Sequence, residues 1–125
     1  MNVSRNFVLI GTLYLIVGLL IGMYMAPSED FTLAPLHAHM NLLGFVLATI
    51  FGLAYKVFPD MAASGLAKVH FWAYEIGVLG LVIALYFILT QKADPAVIGP
   101  VAAIFEVLIV IGVVTFGWNA YKNLK

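Results

Sequence analysis

Four apolar runs, at about residues 7–26, 33–58, 69–90 and 96–119, constrain this chain more than any motif in it. Each is close to the roughly 20 residues that an α-helix needs to cross the hydrocarbon core of a bilayer. A water-soluble fold of 125 residues cannot hide side chains that are 64% hydrophobic and only 10% charged, so the solvent is lipid. The expected fold is all-α: one domain over residues 1–125, a polytopic membrane protein with four transmembrane helices in an up-down bundle. The formal charge is zero, so no basic surface points to nucleic acid. The absence of cysteine removes disulfides, thiolate metal sites and thioether-attached haem. The first run is too long for a signal-peptide core, and Tyr24-Met25-Ala26-Pro27 makes a poor cleavage site, so it is expected to be a retained span.

The connectors carry turn chemistry: Pro27-Ser28-Glu29-Asp30, then Pro59-Asp60 through Ser64-Gly65, then Gln91-Lys92-Ala93-Asp94-Pro95. Ser28 and Asp94 are candidate caps, and Pro35 and Pro95 suit first-turn positions. Short links place each helix antiparallel to the next. The two termini and the second connector share a side and hold Arg5, Lys56, Lys68, Lys122 and Lys125, against Lys92 alone opposite. The positive-inside rule then puts both termini in the cytoplasm and the chain in the cell (inner) membrane, with Trp72, Trp118 and Tyr121 as interfacial anchors.

The second run opens with His37, His39 and Asn41. Ionisable side chains inside a span are costly and mark candidate functional sites. At 100° per residue the two histidines lie about 200° apart, so they cannot share one ion while that turn stays helical. His37 leads down a face of Asn41, Gly44, Ala48, Gly52 and Tyr55, a small-residue strip that lets a backbone or a flat cofactor approach closely. His39 leads down a bulky wall of Leu43, Val46, Ile50 and Leu53. The plainer alternative has both imidazoles hydrogen-bonded to neighbours or water, with the strip serving helix packing.

The run His39-Met40-Asn41-Leu42-Leu43, with Phe51-Gly52, Tyr55 and Pro59 after it, resembles the second helix of the haem-copper oxidase catalytic subunit, especially in the nitric oxide reductase branch. In that family the matching histidine is an axial ligand of the low-spin haem. Lys68-Val69-His70-Phe71-Trp72 and Gly77 resemble its next span, and the likeness covers about residues 36–80. The His37-Ala38-His39 spacing is similar to a later family helix whose two histidines serve two haems on opposite faces. The family's bundle is built of four-helix arcs around an approximate three-fold axis. The resemblance thus implies a single-arc relative forming a homo-oligomer, a trimer by analogy, with haem b between His39 of one protomer and His37 of a neighbour. Three histidines in all, with no His-His pair, cannot supply the family's copper site within one protomer.

Glu106, near the middle of the fourth run, is a candidate proton-relay step or hydrogen-bond partner of an imidazole or haem propionate, or else an inter-helix hydrogen bond. Glu75 reads as an interfacial carboxylate reaching Lys68, His70 or Lys122, or else shares the relay or hydrogen-bonding role open to Glu106, and His70 reads as interfacial, with a cofactor or proton-entry role as its alternative. Gly18 and Gly22 form a packing contact, and Met23, Met25 and Met40 are soft copper ligands or, more simply, filler. Three functions are therefore open. The first is a b-type haem protein for electron transfer, with a membrane redox partner, or for binding dioxygen or nitric oxide. The second is a cofactor-free structural or assembly module whose Gly44/Ala48/Gly52 strip receives a partner span. The third is a copper-handling protein.

Overall fold

The computed structural model describes all 125 residues, and they form an all-helical bundle. Four helices are long and apolar enough to cross a membrane: α1 (Val3–Ser28), α2 (Ala34–Val57), α4 (Gly65–Leu89) and α5 (Pro95–Asn123), with a short α3 (Pro59–Ala63) between the second and third. They run up and down, so the termini and α3 share one end of the bundle.

Each boundary has a local cause. The Asn2 side chain accepts from the Arg5 amide at 2.9 Å, starting α1 four residues before the apolar run. Ser64 accepts from Leu66 N at 3.2 Å and starts α4 earlier than hydropathy alone suggests. Asp94 caps α5 through Ala96 N at 3.0 Å, with Pro95 at the first helical position. Ser28 does not cap α2. It ends α1, and its hydroxyl turns back to the Tyr24 carbonyl at 2.6 Å; α2 starts after Leu33, which offers no side-chain cap. Glu29 (φ 53°) and Gln91 (φ 55°) reverse the chain in the left-handed region at the far end. Asp30 accepts from Thr32 N and Oγ1, which holds its carboxyl below the usual range. Pro59 halts α2 at Val57, and the connector beyond it coils into α3 because Pro is favoured in a first turn.

Two helix pairs carry most of the packing, α1 on α2 and α4 on α5. Lipid tails are as apolar as leucine, so helices in a bilayer associate through close packing and hydrogen bonds. Glycine makes that approach possible here. A Cβ on Gly11 would meet the Gly44 carbonyl at 3.3 Å, and one on Gly52 would meet the Ser4 carbonyl at 2.9 Å. In the other pair, a Cβ on Gly77 would lie 2.7 Å from Ile109 Cγ1, one on Gly112 3.0 Å from Tyr74 N, and one on Gly80 inside the Phe105 ring. The pairs join at the termini end, where Phe7, Phe51, Tyr55, His70, Tyr74 and Phe116 pack ring on ring. Asn119 closes that end from α5, donating to the Met61 carbonyl at 3.0 Å and accepting from Asn123 at 2.8 Å. The outer surface is a sheath of exposed Leu, Ile and Val, as a lipid-facing surface requires.

Gly112→Leu should therefore separate α4 from α5 and cost about 1–3 kcal/mol through overpacking. Gly117→Ala, where nothing lies within 4 Å, should be neutral. Thermal unfolding of the detergent-solubilised protein, followed by circular dichroism, reads both.

Candidate functional site

Pro35 sets the first turn of α2, and the two imidazoles that follow leave the helix in different directions. His37 Nδ1 lies 2.6 Å from the Gly18 carbonyl of α1, and its Nε2 lies 3.3 Å from Asn41 Nδ2. A carbonyl only accepts, so Nδ1 carries the proton and Nε2 accepts from the amide. Both ring nitrogens of His37 are thus engaged inside the protomer. This follows from glycine at position 18: Asn41 occupies the space a Cβ would take there, and a Cβ on Gly22 would lie 3.0 Å from His37 Cε1.

His39 is held differently. Its Nδ1 lies 2.7 Å from the Pro35 carbonyl, one turn back on the same helix. By the same logic Nδ1–H donates, which leaves the lone pair on Nε2. The side chain is partly exposed; of the wall expected below it Val46, Ile50 and Leu53 are exposed and Leu43 is half-buried, its neighbour Leu42 being exposed instead.

Immediately after His39 the helix widens into π turns over Met40–Leu47 before resuming as α-helix at Ala48. Such turns loosen the carbonyl ladder, and Tyr74 of α4 donates its hydroxyl to the Leu43 carbonyl at 2.7 Å. The small-residue strip is the seat of α1. The Tyr14 ring lies across Gly44, where a Cβ would come 2.5 Å from its Cγ, and Ala48 and Gly52 are buried. No gap is left there for a flat cofactor or for a partner span.

Several expectations change. His70 is not interfacial: it is fully buried, 4.5 Å centroid to centroid from Phe51 and 5.0 Å from Phe7, and Tyr55 bonds its Nδ1 at 2.9 Å. Its Nε2 has no partner. Tyr55, expected beside a cofactor, is instead the partner of this imidazole. Glu75 reaches none of Lys68, His70 or Lys122; it is buried, and its Oε1 is unpartnered. Lys68 and Trp72 suggested an interface because both are exposed on the other side of α4, while Ala67, His70, Phe71, Tyr74, Gly77, Val78 and Leu81 form its buried stripe. That stripe at helical spacing was the available signal. Glu106 lies on the exposed face of α5, flanked by exposed Ile104 and Val107, and is not brought to the histidines. Met25 and Met40 are buried and Met23 is exposed, and no three His, Asp or Glu side chains gather as a metal site.

No protein-family model, curated protein or solved structure matches the chain.

Tyr55→Phe should strip the wholly buried His70 of its bond and destabilise the bundle by about 1–3 kcal/mol, readable as a lowered melting midpoint. The exposed Glu106→Gln should leave that midpoint unchanged.

Proposed function

We propose that this chain is the protomer of a membrane haem protein of haem-copper oxidase type, with His39 as the axial ligand. The supporting observation is the posture of His39: Nδ1 fastened to the Pro35 carbonyl, lone-pair Nε2 directed off the helix, and an apolar face beside it that no other helix of the chain covers. Imidazoles that hold metal characteristically donate their second nitrogen to a carbonyl or carboxylate, which fixes the tautomer and raises basicity. His39 fits that requirement and His37 does not, since both of its nitrogens are taken. The second axial ligand suggested by the His-x-His spacing is therefore not His37. On this reading it is either a second copy's His39 or absent.

Leu42, Val46, Ile50 and Leu53 would supply the apolar wall that keeps water from the iron, and a second protomer would supply the opposite wall. Propionates would have one cation at that end, Lys92, now bonded to the Tyr86 hydroxyl at 2.8 Å. Haem would supply one-electron chemistry or, with one position open, a seat for dioxygen or nitric oxide. A homo-oligomer is part of the proposal, as is a place in the cell membrane with both termini cytoplasmic, an orientation supported by the Lys and Arg distribution.

The test is the optical spectrum of protein purified from cells supplied with haem. A Soret band should be present, lost in His39→Ala and retained in His37→Ala. A colourless wild type would overturn the proposal in favour of a scaffold. Stoichiometric copper without haem would overturn it in favour of copper handling.

A further inference from the structure

Between α1 and α4 the surface opens into a cleft of about 590 Å³, a volume within the roughly 300–1,000 Å³ typical of small-molecule sites. It does not touch His39, and its ligand need not involve haem. The two helices run parallel, so the cleft is graded along the bilayer normal. At the termini end it begins at Asn6 and passes between the rings of Tyr14, Phe71 and Trp72; farther along it is walled by Val17, Leu79 and Val82. Trp72, Val17 and Leu79 are more than two-fifths exposed, so the opening faces sideways, toward lipid.

Glu75 stands where the aromatic part meets the aliphatic part. It is 7% exposed, and its Oε1 is buried with no hydrogen-bond partner in the chain. A native bundle seldom leaves a carboxyl oxygen bare in apolar surroundings, because the lost hydration is not returned. The missing partner is a donor, and the cleft is where one can come from.

We infer that this cleft binds a membrane-dissolved phenol bearing an alkyl tail. The ring stacks among Tyr14, Phe71 and Trp72, its hydroxyl donates to Glu75, and the tail lies along Leu79 and Val82. Besides Glu75 the lining offers the Asn6 amide and the Tyr14 hydroxyl as acceptors, but an alkylamine has no ring to fill the aromatic end, so a lipophilic amine fits less well. A plain aliphatic alcohol satisfies Glu75 and wastes the aromatic end.

The experiment uses the full chain in lipid nanodiscs with Trp118→Phe, so that Trp72 is the only tryptophan. Nonylphenol, nonanol and nonylamine are titrated against its fluorescence. Nonylphenol should give a saturable change, weakened about tenfold or more by Glu75→Leu and less by Glu75→Gln, which keeps a carbonyl acceptor. Leu79→Phe, on the exposed rim, should also weaken it by filling the aliphatic end without touching Glu75. A linear, unsaturable response, or equal response in wild type and Leu79→Phe, would overturn the site. Equal affinity for nonanol or tighter binding of nonylamine would overturn the phenol assignment. Emission that shifts on dilution of protein, with no response to any probe, would show a second copy in the cleft and overturn it as well.

Discussion

Contact between helix backbones at glycine is what the rest of this structure depends on. In a bilayer, apolar side chains gain nothing by facing one another rather than lipid, so two helices stay together only where they fit closely or exchange hydrogen bonds. Gly11, Gly44 and Gly52 permit that fit between α1 and α2, and Gly77, Gly80 and Gly112 permit it between α4 and α5. The remaining polar contacts are few and placed at the seams: His37 to Gly18, Tyr74 to Leu43, Tyr55 to His70, Asn119 to Met61. Each joins two elements, so each adds specificity to a surface whose apolar chemistry is nearly uniform.

The same packing divides the two imidazoles of α2. Close approach at Gly18 brings an α1 carbonyl within reach of His37 and makes that ring a structural clasp. His39, two residues on, faces away from the seam and bonds only its own helix. The widening of α2 begins directly after His39, and within it Tyr74 of α4 donates to the Leu43 carbonyl.

The two buried groups at the join of the helix pairs, His70 and Glu75, are also products of association. Each has a buried polar atom without a partner, His70 Nε2 and Glu75 Oε1. They differ in surroundings: His70 is enclosed by rings on every side, whereas Glu75 borders the cleft. That difference is why only the carboxyl is accessible to a molecule arriving from the bilayer.

Helix number, order and approximate ends were determined by the sequence itself, because backbone groups in lipid must be satisfied within a helix and because caps such as Asp94 and stops such as Pro59 act locally. The opposed directions of His37 and His39 were legible for the same reason: their angle is a property of one helix. Which polar side chains are buried was not. Glu106 was expected to have a partner from its depth in a span, yet depth along the normal says nothing about rotation about the axis, and it faces outward. His70 was expected at an interface from its charged and aromatic neighbours, yet α4 turns it inward against three other helices. Partner, burial and rotation are set only when helices meet, and the meeting surfaces here are glycines whose function lies in the side chain they lack.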